Sequence, residues 1–285
     1  MKRYAHNALG PFHFFFFNEC YFFLQLIVFW FSFAMANEGS RILITNDDGI
    51  HAEGIIALEA AMSELGEVYV VAPESEQSGA SHSLTLARPL RIRQIDDRHW
   101  TVDGTPTDCV TFAINQILLP NERPDICVSG INHGANLGDD ATYSGTVAGA
   151  MEATILGVPG LAFSLVANRS HDFTESAKVA FDVTQKALRN GIPDGTLLNV
   201  NVPKGVPLGI KVTKQGFKTA QPVISEHTDP RGKLYYWIGE ERVGFRAEGG
   251  TDFEAIDEGY VSVTPMRSDL TNYAALELLA DWNKN

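Results

Sequence analysis

The stretch "RILITNDDGIHAEG", Arg41 to Gly54, ends a short apolar run on two adjacent carboxylates and a glycine. An Ile/Leu-rich run bounded by Asn, Asp and Gly reads as a buried strand that stops in a turn. Like charges side by side at a low-dielectric strand end repel unless a cation or hydrogen-bond donors offset them. Asp47 and Asp48 therefore ask for a partner. Taken alone, "NDDG" is equally a plain turn, because Asn, Asp and Gly dominate turns for backbone reasons.

The same texture repeats outward from this strand. Short apolar runs at Arg41–Thr45, Val68–Ala72, Ile126–Gly130, Leu161–Leu165 and Leu197–Val202 alternate with amphipathic stretches at Gly54–Leu65, Asp108–Leu118, Gly145–Leu156 and Glu175–Arg189. Strands alternating with helices predict an α/β fold, a mostly parallel sheet with helices on both faces. "LRIRQID" and "HWTVDG", between Leu90 and Gly104, read as a hairpin beside that sheet. After Pro203 come strand-like pieces, "KVTKQG", "LYYWI" and "GYVSVTP", and a last helix over Thr271–Trp282. Residues 206–285 therefore read as a C-terminal, strand-rich extension suited to contact with a partner.

The chain has 285 residues, 45% of them hydrophobic, and a formal net charge of -13. That charge opposes attraction to a nucleic-acid backbone, which needs Lys and Arg to displace counterions, so duplex nucleic acid is not an expected partner. Cys20, Cys109 and Cys127 show no metal or disulfide spacing and fit a reducing, cytoplasmic compartment. Residues 1–36 stand apart, since ten of the seventeen Phe precede Met35. Lys2 and Arg3, the apolar run Tyr21–Phe33 and Ala34-Met35-Ala36 outline a signal peptide, and export would follow. Asn18 and Glu19 within the aromatic stretch, and Met35 just before the first strand, favour a mis-assigned upstream start. No other run approaches the ~20 apolar residues of a membrane span, so the domain from residue 40 is expected to stay off membranes.

In an open α/β sheet, ligands bind beyond the carboxyl ends of the strands. "NDDG" follows the first strand, "PESEQSGASHS" the second and "SGINHGANLGDDATYSGT" the third. Asp47, Asp48, Ser78 and Asn132 are all oxygen donors, a set suited to Mg²⁺ or Mn²⁺. His51, His82 and His133 beside the same loops leave open a mixed His-carboxylate zinc site. Ser144, Gly145 and Thr146 begin an apolar helix, where free N–H groups and the helix dipole favour an anion. A plain Ser N-cap explains them equally.

"ILITNDDGIHAEGI", "VAPESEQSGASHSLT", "VDGTPTDCV", "SGINHGANLGDDATYSGTVAGAMEA" and "GYVSVTP" together resemble the motifs of the SurE survival-protein family, from about Arg41 to the final helix. The resemblance implies a Rossmann-like core over 40–285 and one divalent cation per subunit on Asp47, Asp48, Ser78 and Asn132. It further implies removal of phosphate from nucleoside 5′- and 3′-monophosphates, sometimes with polyphosphate trimming. Ser144, Gly145 and Thr146 fall on the phosphate-contacting loop, with Gly79 placed beside them, and Asn136 matches a further site asparagine. Asp47 and Ser144, with Asn136, are the expected catalytic groups. A homodimer or homotetramer that exchanges its C-terminal arm is also implied. The rivals are a metal-dependent deacylase of similar architecture and a phosphate or nucleotide sensor without turnover.

Overall fold

The computed structural model describes residues 39–118, 120–166, 172–219, 222–240 and 244–283. The expected leader over 1–36 and Cys20 lie outside the described residues. Among those described, nine strands form one sheet, in the order β3 (Ile92–Gln94), β4 (His99–Val102), β2 (Glu67–Pro73), β1 (Arg41–Thr45), β5 (Ile126–His133), β6 (Gly160–Val166), β7 (Leu197–Pro203), β11 (Val261–Met266) and β8 (Ile210–Val212). Its parallel centre is β1 (Arg41–Thr45), β2 (Glu67–Pro73), β5 (Ile126–His133), β6 (Gly160–Val166) and β7 (Leu197–Pro203). These strands are apolar on both faces because helices cover both. Ile42 and Ile44 of β1 face α1 (Glu53–Met62) and α4 (Thr174–Asn190), through Ile55, Leu58, Met62, Ala180 and Val183. Leu43 points the other way, into a cluster with Cys109 and Val110 of α2 (Pro106–Phe112) and Ala153 of α3 (Gly145–Ile155). Period-2 alternation along one strand thus feeds two cores.

The helix ends are written in the sequence. Thr105 caps α2 in a reciprocal capping box with Asp108, and Pro106 stands at the first helical position. The helix expected to run to Leu118 is α2 followed by a π-helical turn over Ala113–Ile117. The expected hairpin is β3 (Ile92–Gln94) with β4 (His99–Val102), and it continues the main sheet, since β4 lies parallel to β2.

The region after Pro203 divides into two kinds of structure. β8 (Ile210–Val212) and β11 (Val261–Met266) complete the main sheet, β11 running antiparallel to β7 and parallel to β8. β9 (Pro222–Thr228) and β10 (Leu234–Glu240) form a separate antiparallel pair. Two short helices, α5 (Asp252–Asp257) and α6 (Tyr273–Leu278), and a 3-10 turn over Ala280–Asn283 complete the described elements of this region, so the last helix expected over Thr271–Trp282 is α6 followed by that turn. Among the described residues, no helix is long and apolar enough to cross a membrane.

Within the parallel centre the spatial order is β2-β1-β5-β6-β7, so the chain builds to one side of β1 and then to the other. The crevice at such a switch point, outside the carboxyl ends of β1 and β5, is the natural ligand position of an open α/β sheet.

Candidate active site

A pocket of about 340 Å³ opens at this switch point, near the lower end of the ~300–1,000 Å³ typical of ligand sites. Asp47, Asp48, Ser78, Gly79, Asn132, Asn136 and Ser144 all line it. Glu76, His133, Asp140 and Tyr143 join them, which the sequence motifs had not singled out as site residues apart from the histidine. Four carboxylates on one small pocket leave a strongly negative concavity, and Lys218 offsets one of them by reaching Asp140 at 2.8 and 2.9 Å.

Asp47 is almost fully buried. Burial raises its carboxyl from 3.8 to about 6, opposed by the Thr146 hydroxyl and reinforced by the charge of Asp48. Thr146 Oγ1 donates to Asp47 Oδ1 at 2.5 Å. Burial also raises Asp48, with the His133 backbone opposing and Glu76 adding to it. The turn behind the pair is tied down: Asn46 Nδ2 donates to the Gly49 carbonyl at 2.8 Å, and Gln77 N donates to the Asp47 carbonyl at 2.7 Å. The second contact binds the Ser78 loop to the Asp47 turn.

Asn132 reaches the rim through an irregularity in β5, whose register against β6 shifts between Ser129 and Asn132. Such bulges re-aim side chains at strand ends. Gly130, at φ +131°, makes the shift possible, because a Cβ there would stand 2.4 Å from the Phe163 carbonyl oxygen. Asn132 Nδ2 donates to the Gly134 carbonyl at 3.0 Å, and Ser78 Oγ donates to Glu76 at 2.8 Å.

Asn136 is held from four directions. Its N–H donates to Asn201 Oδ1 at 2.8 Å and its amide to Ser164 Oγ at 2.8 Å, while its carbonyl accepts from Asn199 at 2.8 Å and Asn201 at 3.1 Å. A signal for this support stands in the sequence, since "LLNVNV" places Asn199 and Asn201 at alternate positions of one buried strand. Asp252 does the same for the adjoining turn, accepting from Gly138 N at 2.8 Å and Gly216 N at 2.9 Å. Nothing in its local sequence marks that role.

Ser144 caps α3, its Oγ accepting from Val147 N at 3.1 Å. Gly145 and Thr146 do not line the pocket through side chains. Gly145 lies so close to Asp47 that an added Cβ would meet Asp47 Cβ at 2.7 Å, and Thr146 is fully buried with its hydroxyl on Asp47. What they offer an anion is the backbone at the start of α3. Of the three histidines beside these loops, only His133 lines the pocket. His82 pairs with Glu152 at 2.8 Å, and His51 is exposed in a turn. Among the described residues, no three His, Cys, Asp or Glu side chains group to hold a metal. The four expected ligands in this pocket, Asp47, Asp48, Ser78 and Asn132, are two carboxylates, a hydroxyl and an amide. They fit a hard, oxygen-seeking divalent cation that retains water better than zinc.

Comparison with known proteins shows the family and the fold. Residues 42–222 match the family model described as survival protein SurE. The chain is 52% identical to the 5′-nucleotidase SurE of Pelobacter propionicus over 246 residues, which cover 85% of this chain and 99% of that protein. It is 50% identical to the 5′-nucleotidase SurE of Myxococcus xanthus over 250 residues, 87% of this chain and 95% of that one. A crystal structure of the SurE protein from Aquifex aeolicus superposes with a TM-score of 0.76 at 47% identity, covering 86% of this chain and 100% of that one.

Proposed function

The chain belongs to the SurE survival-protein family, and from that premise we propose that it is a 5′-nucleotidase, hydrolysing nucleoside monophosphates to nucleoside and phosphate. Nucleoside 3′-monophosphates and the ends of polyphosphate chains are further substrates of the same pocket. The supporting observation is that Asp47, a carboxylate raised to about 6, and Ser144, at the start of α3, line one pocket at the switch point of the sheet.

Asp47, Asp48, Ser78 and Asn132 would hold one Mg²⁺ or Mn²⁺ per subunit, and such an ion supplies positive charge against the phosphate oxygens and polarises phosphorus. The chain's own groups do the rest. The Ser144 hydroxyl and the N–H groups of Gly145 and Thr146 hold phosphate oxygens, as a helix N-terminus does for anions. Asn136, immobilised by Asn199, Asn201 and Ser164, donates to the phosphate as charge redistributes. Asp47 orients the attacking water and takes its proton, with its own orientation set by Thr146. The water oxygen bonds to phosphorus, the ester P–O bond breaks, and the nucleoside leaves with a proton on its hydroxyl.

Phosphate release from 5′-AMP, 5′-GMP, 5′-CMP and 5′-UMP is expected with Mn²⁺ or Mg²⁺ and is lost on chelation. Full turnover after exhaustive chelation contradicts the cation's part, and no release from any nucleotide contradicts the activity.

Residues 40–285 act as this nucleotidase domain, and the buried free thiols of Cys109 and Cys127 suit the cytoplasm. The assembly is a homodimer or homotetramer built through the C-terminal region. Support comes from apolar side chains left in solvent on β10, where Trp237 is 66% and Ile238 79% exposed, and on α6, where Leu278 is 83% exposed. Isolated apolar residues on a surface are ordinary, but a hairpin and a helix carrying so many are not. Replacing Trp237 and Ile238 together by Asp is expected to shift the sedimentation coefficient to that of a monomer. An unchanged assembly removes the hairpin from the interface.

A further inference from the structure

We infer that Tyr143 is the nucleobase platform of this pocket, an aromatic face on which the base of the substrate stacks while its phosphate lies against Ser144. The inference rests on the nucleotidase reading and names the part of the site that selects nucleotides from other phosphomonoesters.

Among the described residues lining the pocket, all but Tyr143 are polar side chains or glycine. Four of them are carboxylates, none is Lys or Arg, and His133 is the one imidazole among the described lining residues. A nucleobase brought here with its phosphate needs an apolar surface, and Tyr143 supplies the one large one. Tyr143 is 67% exposed, whereas Ser144, the next residue, is 7% exposed. Adjacent Cα atoms lie about 3.8 Å apart. The chain therefore turns from an open aromatic face to a buried anion-binding cap within one residue.

The backbone beneath the ring is fixed. Tyr143 N donates to the Asp140 carbonyl at 3.0 Å, and the Tyr143 carbonyl accepts from Ser81 N at 3.1 Å. Ser81 holds the left-handed φ of +54° and sends its hydroxyl to the Thr142 carbonyl at 2.7 Å. A Tyr has two side-chain torsions to order, so a ring on a fixed backbone presents contact area at little entropic cost. Stacking uses the π-face that every base has and so tolerates all of them. The site is thus selective for nucleotides as a class and weakly selective among bases.

The test is the ratio of kcat/KM for 5′-AMP to that for ribose 5-phosphate, which carries the same phosphate ester without a base. In Y143A the ratio is expected to fall roughly tenfold or more, the scale of one base–aromatic stack, with the loss carried by the KM for 5′-AMP. Y143L, which keeps apolar bulk without a π-face, is expected to follow Y143A and stands in for it should Y143A melt early. Y143F is expected to keep the parent's ratio. A ratio unmoved in Y143A and Y143L, with 5′-AMP still hydrolysed, overturns the inference. So does a Y143F that loses the ratio as Y143A does, because recognition would then run through the hydroxyl. A parent that hydrolyses ribose 5-phosphate but no nucleotide overturns the nucleotidase reading itself, and this inference with it.

Discussion

Asp47→Asn is expected to lower phosphate release from 5′-AMP by at least about 10²-fold, the scale on which one preorganised electrostatic group matters, while making the metal-free protein more stable at pH 7. The second half follows from the sign of the pKa shift. Burial lifts Asp47 from 3.8 to about 6 in the folded chain, so the native state holds this proton more tightly than the unfolded one. The associated stability is fully present below about pH 4 and is lost as pH rises through 6, a decline of roughly 3 kcal/mol. Asn is neutral throughout and escapes that decline at this position, while Asp48, also raised, keeps part of the slope. Adding Mn²⁺ at a hundred times its Kd should stabilise the parent by about 2.7 kcal/mol and the mutant far less. Thermal melts from pH 4 to 8, in chelator and in Mn²⁺, read all of this. A mutant that melts well below the parent in chelator at pH 7 would make "NDDG" a structural turn. One that keeps the full metal shift and its activity would remove Asp47 from the site.

Asp252→Ala should produce the largest loss of stability among the residues that support the pocket. Asp252 is fully buried, and its two oxygens take N–H groups from Gly138 and Gly216 as well as that of Phe253. Truncation leaves donors from two remote segments buried without an acceptor, at a cost of about 3–5 kcal/mol. For a chain of this size the melting temperature should drop by roughly 5–10 °C. Asp252→Asn restores only part of this, since its NH₂ must face a donor. Activity should fall as well at temperatures where the mutant is folded, because Gly138 opens the turn that leads through Asp140 to Tyr143 and Ser144. An unaltered melting curve would show that water replaces the carboxylate without loss.

How much of this can be read from the chain depends on whether the signal is local. Arg41–Thr45 and the strand within Gly160–Val166 are legible to a residue or two, because a parallel strand covered on both faces must be an unbroken apolar run. Helix α3 is legible because Ser144 and the apolar run behind it mark its start. The gathering of Asp47, Asp48, Ser78, Gly79, Asn132, Asn136 and Ser144 into one pocket follows from three loops lying at the same ends of neighbouring strands. Thr146 shows the limit. Its place at a helix start suggests an anion contact, yet burial turns its hydroxyl to Asp47, and only the packing of α3 against β1 decides which. Asp252 and Lys218 are illegible for a related reason: each acts on the loop from more than 70 residues away, through a contact that no periodicity announces. β9 and α5 lack a strong apolar pattern and are not anticipated at all.

The placement of β11 has a consequence for how this protein is made. Its neighbour β7 ends at Pro203, but β11 itself is Val261–Met266, and Asp252 lies just ahead of it. A chain emerging from the ribosome has its Asp47 turn, its Ser78 loop and Ser144 long before it has either. At ordinary elongation rates the gap between Ser144 and Met266 is on the order of ten seconds. From Pro203 until β11 is made the sheet ends on β7, and until Asp252 is made the turn at Gly138 lacks its carboxylate clamp. Activity is therefore expected only once Asp252 and β11 have been made, and a chain stalled ahead of them carries the residues of the pocket rim without the contacts that hold them in place.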